Sequence, residues 1–131
     1  MMLKGKSAIV TGSTSGIGRG IATMLAREGA NVMINGFGEA EEIEKFRQEL
    51  AGLSGAICRY SAADMTRPDE IKTMIDEAAD VFGAIDIVIN NAGIQFVSPV
   101  EEFPVDKWDA IIAINMTSAF HTIRHTLAGM K

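Results

Sequence analysis

Thr11-Gly12-Ser13-Thr14-Ser15-Gly16-Ile17-Gly18, TGSTSGIG in one-letter code, follows directly on the apolar run Ser7–Val10. Three glycines and four hydroxyl side chains in eight residues make poor core, and they are too many for an ordinary turn. A strand, a glycine-rich turn and a helix in that order gather unpaired backbone N–H groups and the positive end of a helix dipole at one point. That is an anion site. The spacing G-x-x-x-G-x-G gives each glycine a task. Gly12 allows the tight turn off the strand, Gly16 lets backbone approach a pyrophosphate with no Cβ between, and Gly18 lets the helix close on the strand. Ser13, Thr14 and Ser15 can donate to phosphate oxygens or cap the helix. A triphosphate loop would end in Gly-Lys-Ser/Thr, and Gly18-Arg19-Gly20 does not supply it. A turn that merely joins two elements is the plain alternative. Its place after a first strand, with a second strand–helix unit behind it, favours a dinucleotide loop.

Working outward, strands and amphipathic helices alternate along the chain. Ser7–Thr11 is the first strand. Ile17–Glu28 is a helix in which Ile21, Met24 and Leu25 recur at helical spacing, and Gly29 ends it. Asn31–Asn35 is the second strand. Glu39–Leu50 is a helix with Ile43, Phe46 and Leu50 on one face and Glu41 placed to pair with Lys45. Ala56–Ser61 is the third strand. Thr66 then caps a helix lined by Ile71, Met74, Ile75, Ala78 and Phe82. Ile85–Asn90 is the fourth strand, and Pro104 opens a long helical region through Trp108, Ile111, Ile112 and Phe120 to the end. Such alternation predicts an α/β fold, a Rossmann-type doubly wound parallel sheet of strand order 3-2-1-4 with right-handed crossovers.

Composition narrows the classes of partner. A net charge of −5 offers no basic face to nucleic acid. The N-terminus MMLKGK lacks the apolar stretch of a secretory signal, and no run reaches the length of a membrane span. A soluble, cytoplasmic protein is expected. The lone Cys58 falls in a strand and is read as a buried free thiol. His121 and His125 stand four apart on a helix, a spacing a metal could use. With no third ligand evident, no metal site is expected. Glu101 and Glu102 read as a solvated loop edge, and the eight methionines as core filler.

Asn90-Asn91-Ala92-Gly93 follows the fourth strand. In the order 3-2-1-4, strands one and four are neighbours at the switch point, so TGSTSGIG and NNAG would face one crevice. Alone, NNAG could be a polar turn. Together, the TGxxxGIG loop, Asp64 at the end of the third strand, NNAG, and Asn115 inside the following helix resemble the short-chain dehydrogenase/reductase family over the whole chain. The stretches NGFGEAEEIE (35–44), NNAGIQ (90–95) and EEFPVDKWDAIIAIN (101–115) are most similar to its branch that oxidises (R)-3-hydroxybutyrate, a ketone body.

The place of the usual ribose-binding acid reads Asn35-Gly36-Phe37-Gly38, with no Asp. No Arg or Lys lies from Glu28 to Glu44 to accept a 2′-phosphate, and Glu39, Glu41 and Glu42 would repel one. NAD is the expected cofactor. The resemblance implies that Phe37 lines the adenosine pocket and that Asp64 accepts from the adenine amino group with Met65 beside it. It also implies that Asn91, Ala92 and Gly93 line the nicotinamide side, with Ser13, Thr14 and Ile17 joining the three loop glycines around the cofactor. The plain reading of Asp64 is a turn residue or a partner of Thr66. Gln95 is implied as a holder of the substrate carboxylate, an exposed loop Gln being the alternative.

In the family, a Tyr with a Lys four residues later acts as acid/base, and an Asn completes the proton relay. The only Tyr here is Tyr60, with Asp64 four beyond it, in a strand. It reads as a packing residue, and Asn115 alone represents the catalytic set. The resemblance therefore implies one dinucleotide-binding domain over 1–131, incomplete at its C-terminus and inert by itself. Its parent would be a homotetrameric dehydrogenase acting on a small hydroxy acid. A dehydrogenase for another secondary alcohol and a non-catalytic dinucleotide-binding module are the alternatives.

Overall fold

The computed structural model describes residues 1–131 apart from the side chain of Ser54. Its elements run β1 (Ser7–Val10), α1 (Gly16–Arg27), β2 (Asn31–Asn35), α2 (Ala40–Ser54), β3 (Cys58–Ser61), α3 (Pro68–Phe82) and β4 (Ile87–Ile89). A short 3-10 turn (Val100–Glu102) leads into α4 (Val105–Ile112), a single π-helical turn (Ala113–Thr117) and α5 (Ser118–Met130). The four strands form one sheet in the order β3-β2-β1-β4, all parallel. The predicted α/β class and strand order are what the chain adopts.

Successive residues of a strand point to opposite faces, and both faces of this sheet are covered. Val10, Val32 and Ile34 turn to one side and pack with Ile43, Phe46 and Leu50 of α2 and Ala22 and Ala26 of α1. Ile9 and Met33 turn to the other side, against Ile71, Met74, Ile75 and Ala78 of α3. Each such fully buried aliphatic side chain contributes about 1.5–3 kcal/mol relative to exposure. The α2 and α3 faces are those the spacing predicts.

Helix α1 is turned differently. Its buried face is Gly18, Ala22 and Ala26, while Met24 is exposed and Ile21 and Leu25 are half-buried. Small residues at i, i+4 and i+8 let this helix sit closer to the sheet than a leucine stripe would allow. Of the methionines, Met33, Met65 and Met74 are core, but Met1, Met2, Met24, Met116 and Met130 are exposed. The Glu41–Lys45 pair does not form. Instead Arg47 grips Glu44 with two bonds of 2.8 and 2.6 Å and donates to the Cys58 carbonyl at 3.0 Å. Thr66 caps nothing: α3 begins at Pro68, and the Thr66 hydroxyl donates to Asp64 Oδ1 at 2.7 Å. Among the described residues, no helix is long and apolar enough to cross a membrane.

Candidate dinucleotide site

The carboxyl ends of β1, β2 and β4 open on a crevice lined by Gly12, Thr14, Ser15, Asn35, Gly36, Phe37, Ala63, Met65, Asn91, Ala92, Gly93, Ile94 and Ile114. The glycine loop and NNAG do face each other across it. The seam between them is Thr11, which is 1% exposed. Its hydroxyl accepts from the backbone N–H of Asn91 (3.0 Å) and Ala92 (2.9 Å) and donates to the Ile89 carbonyl at 3.4 Å. The Asn91 amide in turn donates to the Gly12 carbonyl at 3.0 Å.

Two glycines are required by this seam. Gly12 has φ +62°, and a Cβ there would stand 2.9 Å from the Ala92 Cα. A Cβ on Gly18 would collide with the Asn91 amide and the Gly12 carbonyl oxygen. Gly16 instead faces open space, as backbone meant to receive a ligand should. Arg19 is the first residue of α1 whose N–H bonds within the turn, to Ser15 O at 3.2 Å. The N–H groups of Gly16, Ile17 and Gly18 are thus left at the helix start, where a phosphate is favoured. The Arg19 guanidinium lies 4.2 Å over the Phe46 ring and 4.0 Å from Glu49, turned to α2 rather than to the crevice.

Asn35, 1% exposed, ties three loops together. Its Oδ1 accepts from Gly12 N–H (3.2 Å), and its Nδ2 donates to the carbonyls of Ser61 (3.1 Å) and Ala63 (3.0 Å). Asn35 and Thr11 are the residues the sequence reading passed over. The signal was available in each case: a polar side chain closing an otherwise apolar strand.

Several predicted contacts are placed elsewhere. Ser13 is fully buried; its hydroxyl donates to Val10 O (2.7 Å) and accepts from Asn35 N–H (3.0 Å), so it braces the loop and is not offered to a ligand. Ile17 is 78% exposed and lines an outer apolar groove of α1 with Leu3, Ile21 and Met24. Helical rotation carries its side chain away from the crevice that its N–H can serve. Asp64 lies just outside the lining, between Ala63 and Met65. Its Oδ1 accepts from the N–H (2.9 Å) and hydroxyl of Thr66, and these bonds hold its carboxyl below the usual range. Its Oδ1 is thus engaged in the turn, and its Oδ2 lies 3.9 Å from Arg67 Nε. Gln95 is exposed in the loop beyond Ile94 and does not line the crevice.

Phe37 lines the crevice and is 67% exposed. Met65, Asn91, Ala92 and Gly93 line it as well. Asn115 sits in the π-helical turn and clamps Ile94 from both sides. Its Oδ1 accepts from Ile94 N–H and its Nδ2 donates to Ile94 O, each at 2.8 Å. That partner is 21 residues away, so the side chain serves the NNAG loop and not its own helix. His121 and His125 stack with centroids 6.5 Å apart, and no group of three potential ligands forms among the described residues.

A parallel sheet of this order, with a glycine loop meeting a second loop at the switch point, defines the dinucleotide-binding α/β proteins. Within them, the chain belongs to the short chain dehydrogenase family, whose match spans residues 6–131. Its relatives include a D-beta-hydroxybutyrate dehydrogenase of Rhizobium meliloti, 53% identical over 96% of this chain and 49% of the relative. Another of the same name, from Cupriavidus necator, is 54% identical over 99% of the chain and 50% of the relative. A solved short chain dehydrogenase from Burkholderia cenocepacia, in complex with NADP, superposes with a TM-score of 0.94 at 31% identity, over 99% of this chain and 53% of that one. The chain therefore spans about half the length of the relatives it matches.

Proposed function

We propose that these residues are the cofactor-holding half of a dehydrogenase that oxidises (R)-3-hydroxybutyrate to acetoacetate with NAD. The observation that carries this reading is the crevice itself, built where TGSTSGIG and NNAG lock together through Thr11. Identity above half to two D-beta-hydroxybutyrate dehydrogenases supports the substrate. NAD over NADP is supported by the β2 corner, where no Lys or Arg stands between Glu28 and Glu44. The solved relative's NADP belongs to that protein.

A bound nicotinamide would supply the hydride acceptor for the substrate's carbinol carbon. The residues present do the holding. Backbone N–H groups at the start of α1 receive the pyrophosphate, and Gly16 gives them room. Phe37 and Met65 flank the adenosine end, and Asn91 to Gly93 flank the nicotinamide end. Asn115 fixes the chain at Ile94, and Gln95 next to it is the candidate for the substrate carboxylate. The hydroxyl proton needs a base, and the family's Tyr-x-x-x-Lys pair does not occur within these 131 residues. The same reading makes the complete enzyme a cytoplasmic homotetramer.

Joining residues 1–131 to the remainder of the Cupriavidus necator relative tests the reading. The chimera is expected to oxidise (R)-3-hydroxybutyrate with NAD, whereas 1–131 alone binds NADH without turnover. A folded chimera inert on hydroxybutyrate would overturn the substrate.

A further inference from the structure

The β2 corner, Gly36-Phe37-Gly38, belongs to neither β2 nor α2 and makes no backbone–backbone hydrogen bond among the described residues. It is flanked by glycines and would be free to swing on its own. Two side-chain hydroxyls hold it. The Tyr60 phenol reaches from β3 and donates to the Gly36 carbonyl at 2.5 Å, while Thr14 of the glycine loop donates to the Phe37 carbonyl at 2.9 Å. Thr14 ties the corner to the glycine loop on one side, and Tyr60 ties it to β3 on the other. A Cβ on Gly36 would lie 2.5 Å from Thr14 Oγ1.

Tyr60 is not in the crevice lining. It stands behind the corner, in a shallow depression shared with Ser61 and Glu70. Burial pushes its phenol above the ordinary value, so the hydroxyl keeps its proton and its donor role at neutral pH. Packing alone would need only a Phe here. Among the described residues the hydroxyl has one partner, the carbonyl of Gly36, a residue that lines the crevice.

The geometry points to Tyr60 as a positioning residue for cofactor selectivity, holding Gly36 from the β3 side while Thr14 holds Phe37 from the glycine loop, so that the fixed corner fits a ribose and not a 2′-phosphate. This rests on the dinucleotide reading of the crevice. Selectivity is then exerted in two ways. The corner lacks a cation, and the latch denies a bulky dianion the space to lie between the corner and Thr14. Releasing one hydrogen bond loosens the corner, which relieves the steric part and leaves the electrostatic part in place. A partial loss of discrimination follows, of the size of one net hydrogen bond.

The experiment is a pair of fluorescence titrations, NADH and NADPH, on the 131-residue chain and on Tyr60→Phe. Wild type is expected to bind NADH more tightly. In Tyr60→Phe the ratio of the two dissociation constants should narrow by about threefold to tenfold, chiefly through better NADPH binding, with circular dichroism unchanged. Global loosening would weaken both ligands together and leave the ratio alone. An unchanged ratio in a folded Tyr60→Phe would sink the latch while leaving the dinucleotide reading intact. Failure of wild type to bind either ligand would overturn both. Should Tyr60→Phe not fold, Thr14→Val removes the other hydroxyl and must narrow the ratio in the same direction; if it does not, the latch is wrong.

Discussion

At the scale of single residues, the seam between the two loops leaves no room for change. Gly18→Ala would drive a methyl into the Gly12 carbonyl and the Asn91 amide. Overpacking of this kind costs about 1–3 kcal/mol, and here it also parts the loops that frame the crevice. Urea unfolding should show that loss, and NADH titration should show weakened binding beyond it. Asn35→Asp is nearly isosteric but turns a donor into an anion facing the carbonyls of Ser61 and Ala63. A buried charge left against acceptors costs about 3 kcal/mol or more, so this variant should melt well below wild type. Cys58 makes a prediction in pH. Burial pushes its thiol from 9.0 up to about 12, with Arg47 and Arg59 offsetting part of the rise. Below pH 9 both folded and unfolded chains hold the proton and the stability is flat. Above it the unfolded chain releases the proton first, so stability falls as pH climbs from about 9 towards 12. Replacing Cys58 by Ala should remove that part of the alkaline slope in pH-dependent unfolding. The native thiol should also resist alkylation at pH 8 until the chain is unfolded.

Among the elements, β2 is legible to the residue, because NVMIN is apolar, β-branched in part and bounded by Ala30 and the glycine corner. Strand β4 is shorter than its apolar run suggests. Asp86 turns aside to accept Ser7 N–H at 2.9 Å, and Asn90 accepts from Thr122, so both ends of IDIVIN are spent on side-chain bonds. The stripe of α1 misleads for a different reason. Spacing reports that residues share a face and not which face is buried, and a close helix–sheet approach selects Gly18, Ala22 and Ala26. The loop and NNAG announce the site through residue types a ligand needs. Thr11 and Asn35 show only a polar side chain closing a strand, and Tyr60 not even that, since their partners lie at distances in sequence that no spacing reveals. The π-helical turn is the last such case. It places Asn115 where it can hold Ile94. Asn115→Ala removes both bonds, and at about 0.5–1.5 kcal/mol each it should cost about 1–3 kcal/mol in urea and raise amide exchange at Gly93–Gln95.

For the whole molecule, the sheet stops at β4, whose outer edge carries no neighbour among the described residues. Beside it Ile123, Leu127 and Met130 of α5 are 39–49% exposed. An unpaired apolar edge associates unless it is blunted by charge. The 131-residue chain is expected to sediment with a mass that rises with concentration, and Val88→Lys at mid-edge should reduce that rise. A monomer at every concentration would contradict it.

Strand β1 occupies the middle of the sheet, yet its two neighbours come from very different distances along the chain. The Ser7–Asn31 contact with β2 spans 24 residues and the Ser7–Asp86 contact beside β4 spans 79. Closing the longer loop costs about 1 kcal/mol more in chain entropy. During synthesis β1, β2 and β3 can therefore assemble while β4 is still emerging. The crevice floor at the β1–β4 seam is then the last part to be completed. A ligand gripping that seam cannot nucleate the fold; it can only trap the finished one. Pulse-labelled hydrogen exchange during refolding should protect Val32–Ile34 before Thr11 and Asn91, and added NADH should slow unfolding without speeding that first phase.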